Sequence, residues 1–319
     1  GTLDMSAEEA TAVAVKPAAE GAETIGPWLR LKYALVRAFL WGWARCFSLK
    51  GLYLFGQFFG TCEYLINHKR RRKFRQRLAA IYGDRLTDSL ARRATWRHFM
   101  RIRCDKLFYL IFDKLPREKI LNRVRFFGKD VLDEALSRGH GVYLTLSHYG
   151  SHHVAGLLMA LLGYRLVGVR DRNEGPLRKY VQEKYAETFQ EYRAVRMFFA
   201  DAFPRELYRC LEEGYILASA PDVEHDRGAH LRTMPVKIFG QQRDFLTGPV
   251  RIALRCGAPI LQGFVISRRN FYFRLVVRGP LVDPAAGRDD FETVAAALQR
   301  YADNIEEHVR EYPCHISKT

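Results

Sequence analysis

From about residue 131 onward the chain settles into a rhythm of amphipathic, helix-length segments separated by short apolar runs. VLDEALSRGHG (131–141) has helical periodicity and is stopped by Gly139 and Gly141, and VYLTLS (142–147) follows it as a buried strand. Further strands are predicted at YRLVGV (164–169), YILASA (215–220), PVKIF (235–239), PILQGFVI (259–266) and FYFRLVV (271–277), with helices near 151–162, 176–190 and 204–213. A last helix sets Phe291, Val294, Leu298, Tyr301, Ile305 and Val309 three or four residues apart, which defines one buried stripe. Strands alternating with helices predict an α/β fold, a central and largely parallel or mixed sheet flanked by helices.

The preceding hundred residues read differently. WLRLKYALVRAFLWGWARCF and SLKGLYLFGQFFGTCEYLI, between Trp28 and Ile66, are crowded with aromatics. Their longest uncharged run, Gly51 to Cys62, is twelve residues, short of the roughly 20 that span a bilayer. Helices lying on the membrane interface fit this pattern, with ordinary core helices as the plainer alternative. KRRRKFRQR (69–77) follows, seven basic residues in nine. Residues 84–127 look helical and basic, with an apolar FYLIF patch (108–112) and a break at Pro116. Residues 1–26 read as a disordered leader whose first four resemble a cloning remnant. The expected organisation is therefore a helical membrane-interface segment (27–127) and an α/β domain (128–319), together forming one structural unit.

The formal charge of +16 asks for an acidic partner, such as nucleic acid, an anionic membrane surface or an acidic carrier protein. No zinc-finger or RNP signature accompanies the basic run, so no specific nucleic acid is expected. The six cysteines show no CxxC pair or regular spacing, which fits a reducing cytoplasm better than a disulfide scaffold.

LTLSHYGSHHVAG (144–156) places His148 just after a strand and before a helix, where ligands collect in α/β sheets. His148 and His152 are four apart, yet no HExxH glutamate is present and a catalytic zinc normally takes three protein ligands, so no metal is expected. A base, a metal ligand or a polar helix start remain open for these histidines on the residues alone.

Four blocks carry a resemblance, over about residues 30–315, to the bacterial lipid A late acyltransferases of the lysophospholipid acyltransferase superfamily. SHYGSHH is similar to that family's NHxGxWE, in which a histidine precedes a carboxylate by five positions. VGVRDRNEGPL (167–177) resembles YRPxxNPL with one extra residue. ILASAPDVEHDRGAHLRTMPVKIFG (216–240) resembles the segment in which Ala-Pro-Asp leads to a strand ending at FFG, and TGPVRIALRCGAPILQGF (247–264) is close to TGPARLALRTGAPVVP. The resemblance implies acyl transfer from a carrier-protein or CoA thioester, as co-substrate with no separate cofactor, to a hydroxyl or amine of a lipid-like, amphiphilic acceptor. It implies His148 as general base, Arg170 of the second block holding phosphate or carrier groups, with a salt bridge at the strand end as the plainer alternative, Asn173 and Glu224 as further substrate-binding residues, and Thr247 with Gly248 as a substrate-positioning turn. It also implies a peripheral location at the cytoplasmic face of the inner membrane.

Where the family has a carboxylate, this chain has His153. An imidazole supplies no fixed negative charge, and protonated it would repel a proton on His148. Three outcomes are open: a neutral His153 orients His148 by one hydrogen bond, Asp222 or Glu224 of APDVEHD provides the charge, or ordinary transfer is lost. The last outcome would leave a thioester hydrolase, otherwise altered chemistry, or a non-catalytic lipid or carrier-protein binder.

Overall fold

The computed structural model describes residues 25–170, 174–199, 204–222, 232–283 and 287–316. In chain order its elements are α1 (Pro27–Ile66), α2 (His68–Tyr82), α3 (Asp88–Ile111), α4 (Arg117–Leu121), β1 (Val124–Phe127), α5 (Lys129–Ser137), β2 (Val142–Thr145) and α6 (Ala155–Leu161). There follow β3 (Leu166–Arg170), α7 (Pro176–Thr188), α8 (Gln190–Arg193), β4 (Arg196–Phe199), α9 (Pro204–Glu212) and β5 (Ile216–Ser219). β6 (Thr233–Ile238), β7 (Gln241–Leu246), α10 (Gly248–Arg255), β8 (Ile260–Ser267), β9 (Phe273–Arg278) and α11 (Phe291–Glu311) complete it.

Seven of these strands form one sheet in the order β1-β9-β8-β2-β5-β3-β4. All neighbours pair in parallel except β8 and β9, so the sheet is mixed. The continuous apolar runs of β2 and β8 follow from their central place, since both faces are covered. Val142 and Leu144 join one apolar cluster with α1, α3 and α6, whereas Tyr143 between them joins the other, with α10 and α11. On α11, Val294, Leu298, Tyr301, Ile305 and Val309 are fully buried, each such side chain contributing about 1.5–3 kcal/mol relative to exposure. Phe291, placed in the same stripe by spacing, is instead exposed at the first turn.

Three strands were not foreseen. VRFF in β1 and RMFF in β4 are four-residue edge strands with an arginine each, inside stretches read as helix or left unassigned. QQRDFL in β7 has no apolar run, because its hairpin with β6 exposes most of one face. The hairpin turns on Phe239 and Gly240, both at positive φ, and the Phe239 amide donates to Glu306 Oε1 at 2.7 Å, which ties the strained turn to α11.

The aromatic leader is a single element, α1, broken at Ser48, where the backbone takes a positive φ. It lies close against α3: a Cβ at Gly60 would stand 2.6 Å from the Met100 Cα, so the two helices approach there at glycine distance. Arg37, buried on α1, bonds the Leu110 carbonyl at 2.8 Å and pairs with the buried Asp113. Residues 1–24, which include most of the expected leader, lie outside the described residues.

Candidate active site

β2 and β5 are parallel neighbours, so the loops leaving their carboxyl ends emerge side by side. The first loop carries His148 and the second Asp222. The first is held on several sides. The Leu146 amide extends the ladder to the Ser219 carbonyl, and the Tyr301 hydroxyl on α11 donates to the Leu146 carbonyl at 2.8 Å. The Gly150 amide donates to the His315 carbonyl, and the Ser151 amide to the Val265 carbonyl, both at 2.9 Å. Gly150 has φ of +89°, and a Cβ there would lie 2.6 Å from the Val265 oxygen, so only glycine lets the loop pass β8 this closely.

Asp222 grips His148 with both oxygens. Oδ2 accepts the His148 backbone amide at 3.0 Å, and Oδ1 accepts from Nδ1 at 3.0 Å. An ionised carboxylate only accepts, so this contact puts the proton on Nδ1 and leaves the Nε2 lone pair open. The Asp222 side chain is 4% exposed, against 30% for His148, so the carboxylate is shielded while the imidazole reaches solvent. The buried phenols of Tyr143 and Tyr301 hold their protons well above the ordinary tyrosine range, first through burial and then in part through the Asp222 charge.

His153, five residues after His148, takes no part in this contact. Residues 148–151 form a bend and His152–Val154 a short 3-10 turn, so the helix expected near 151–162 begins only at Ala155, and His153 packs toward α3. Its ring packs edge-on against Tyr109 at 5.2 Å, with Nε2 buried and unbonded among the described residues. Burial pushes its pKa down to about 4, with the nearby Asp105 charge opposing. His152 lies between, its ring 5.2 Å from that of His148, and burial above all pushes its pKa well down, so it stays neutral. Two of the three histidines are thus held uncharged, which avoids a cluster of like charges.

Beneath this loop is a polar layer with no signal in the sequence. Asp105 Oδ2 on α3 accepts from Ser151 Oγ at 2.6 Å, Arg101 at 3.0 Å and Ser267 Oγ at 3.2 Å. Asp105 sits in a helix that reads only as basic, and Tyr301 in one that reads only as core. Their part in shaping the loop depends on contacts more than 40 residues apart in the chain.

Of the other expected site residues, Thr247 is buried at the start of α10, where its amide and hydroxyl both donate to the Arg232 carbonyl, at 3.0 and 3.1 Å. The adjoining Leu246 amide donates to the Pro221 carbonyl at 3.0 Å, so this turn braces the residue next to Asp222. Gly248 is exposed, with open space where a Cβ would stand. Arg170 ends β3 on the same sheet edge, one strand beyond β5, and its side chain lies outside the described residues, as do Asn173 and Glu224. Among the described residues no group of three or more His, Cys, Asp or Glu is placed to hold a metal ion.

Comparison with known proteins supplies the deciding observation: the profile of the bacterial lipid A biosynthesis acyltransferase family matches residues 27–315. The chain belongs to this family. No curated protein matches it. As a lipid A acyltransferase relative it is an acyltransferase of lipid biosynthesis, acting with an acyl donor and a lipid acceptor. The match runs through α1 to the end of α11, so the helical segment and the sheet are both part of what the family shares. No helix among the described residues is long and apolar enough to cross a membrane. Among the described residues, eleven of the fifteen large exposed hydrophobic side chains nevertheless lie on α1, from Trp28 to Ile66.

Proposed function

We propose that this acyltransferase moves an acyl chain from a carrier-protein or CoA thioester to a hydroxyl or amine of a lipid-like acceptor, with His148 as general base and Asp222 as its positioning carboxylate. The observation that carries the reading is the two-point contact of Asp222 with the His148 ring and backbone. Nε2 takes the proton of the attacking hydroxyl as the oxygen bonds to the thioester carbon. The resulting imidazolium, its Nδ1–H on Asp222, returns the proton to the departing thiolate as the tetrahedral intermediate collapses. A positioned base of this kind supplies typically 10² to 10⁴ in rate, and the carboxylate adds by stabilising the imidazolium as it forms.

In this reading Asp222 takes the place of the family's carboxylate five positions after the histidine, and His153 is a neutral packing residue. Arg170, at the carboxyl end of β3, is assigned to phosphate or carrier groups of the donor, and Asn173 and Glu224 are assigned to substrate binding. Thr247 and Gly248 are assigned to acceptor positioning through the turn that braces Asp222. The exposed apolar side chains of α1, flanked by the basic surface of α2, favour peripheral binding to an anionic membrane at its cytoplasmic face, each basic residue adding about 1 kcal/mol near such a surface. The test is to follow loss of acyl carrier thioester and acyl-CoA by mass spectrometry, with and without lipid acceptor. Acceptor-dependent loss with acylated product supports transfer. Acceptor-independent release of free fatty acid would mean a hydrolase.

A further inference from the structure

The break in α1 at Ser48 opens one side of a cavity of about 500 Å³, closed by α4 and by the turn between β8 and β9. Four cations line it, Arg45, Lys50, Lys119 and Arg123, and no carboxylate does. None of the four pairs with an acidic side chain among the described residues. Arg123 is half-buried, its guanidinium 4.9 Å from the Tyr272 ring and bonded to the Asn270 carbonyl at 2.6 Å. Arg45 lies over Trp41 at 5.8 Å. Like charges gathered at a concave surface repel one another, and water screens them less there than on an open face. Such an arrangement stores a binding preference for an anion.

The remaining walls are apolar. Trp41, Leu49, Leu115 and Tyr272 line the cavity. Ser48 is held at φ of 65° and ψ of 169°, a region that non-glycine residues avoid, and strain of this kind clusters at ligand sites. The cavity also lies on the same sheet edge as His148. β8 runs parallel to β2 and its turn into β9 is part of the cavity, so the two places are separated by two or three strand spacings, roughly 10–15 Å.

We propose that this cavity is a second, non-catalytic site that seats the phosphate headgroup of an anionic amphiphile, with the four cations on the phosphate and the aromatic walls along the first part of the chain. The site stands apart from His148 and Asp222 and does not rest on their assigned roles. Its effect would be to fix the depth and orientation of α1 against a bilayer, through a specific contact in place of diffuse charge.

Calorimetric titration of the 319-residue chain with dihexanoyl phosphatidic acid, below its micelle concentration, tests this. Dihexanoylglycerol and inorganic phosphate are the comparison ligands. Binding of the lipid phosphate should fall about tenfold or more in Lys50→Gln/Lys119→Gln, both side chains being exposed, since a charge-assisted contact is worth at least about one decade of affinity. Lys69→Gln/Lys73→Gln, which removes the same charge from the exposed face of α2, should change it less than about twofold. Arg45→Gln provides an independent second variant, and thermal melts check folding. Equal losses in the two double variants would reduce the site to diffuse electrostatics and overturn the proposal. Equal affinity for dihexanoylglycerol would remove the phosphate from it, and equal affinity for inorganic phosphate would remove the amphiphile.

Discussion

Replacing Asp222 by Asn changes one oxygen to an amide nitrogen and keeps the shape. If the amide oxygen stays on the His148 backbone amide, its NH₂ group faces Nδ1. Nδ1 must then accept, the ring proton moves to Nε2, and the atom assigned to take the acceptor's proton already carries one. The electrostatic loss can be gauged from the contact. With Nδ1 3.0 Å from Oδ1 the charge centres are about 4 Å apart, and at an effective dielectric of about 20 the imidazolium loses about 4 kcal/mol, or three decades in rate. The near-complete burial of the carboxylate argues against discounting this for solvent. Asp222→Asn should therefore lower kcat about 10³-fold at pH 7 and leave KM for both substrates within about threefold, measured by steady-state acyl transfer with a carrier thioester and lipid acceptor. The melting temperature should move by only a few degrees, because the amide can still accept the backbone N–H. A loss below tenfold, or one confined to KM, would refute the reasoning.

Other consequences are independent of that variant. His153→Leu should keep transfer within about threefold, since His148 is held by Asp222 and not by His153, whereas His153→Glu should melt lower and gain no activity, because it buries a carboxylate beside Asp105. A rise in transfer for His153→Glu would instead make that position the functional carboxylate site. Burial lowers the pKa of His153 to about 4 and of His308 to about 3, so below pH 6.5 the unfolded chain binds protons that the folded one refuses. Stability should fall as pH drops from about 6.5 toward 4, by up to about 1.4 kcal/mol per unit for each such histidine, and His308→Phe should flatten the profile in urea titrations. Flat stability between pH 7.5 and 5 would contradict it. Arg37→Met strands the buried Asp113 and should cost about 3–5 kcal/mol in chemical denaturation, most of it recovered by adding Asp113→Leu; no recovery would mean the cost lies in lost packing.

The sheet was legible where it is most buried. PILQGFVI and VYLTLS announce β8 and β2 because central strands are apolar on both faces, and the α11 stripe follows from its spacing. VRFF, RMFF and QQRDFL were not, because edge and hairpin strands satisfy their backbone in registers that leave side chains free to be charged. At the site, the position of His148 could be read from a strand giving way to a loop. The choice of its partner could not. Asp222 is 74 residues away and comes alongside only because β5 pairs with β2, a fact of strand order that no local pattern encodes. His153 was the nearer candidate by spacing, and the bend at 148–151 with the short turn after it sets its ring against Tyr109, apart from the contact between His148 and Asp222.

In the proposed reaction the His148 imidazole takes the proton from the acceptor. Single-turnover transfer from a loaded carrier thioester to lipid acceptor, comparing wild type with His148→Ala under saturating substrates and reading acylated product by mass spectrometry, bears on it most directly. The rate constant for the bond-forming step should fall at least about 10³-fold with substrate binding retained. Acylated product formed by His148→Ala at the wild-type rate would contradict it.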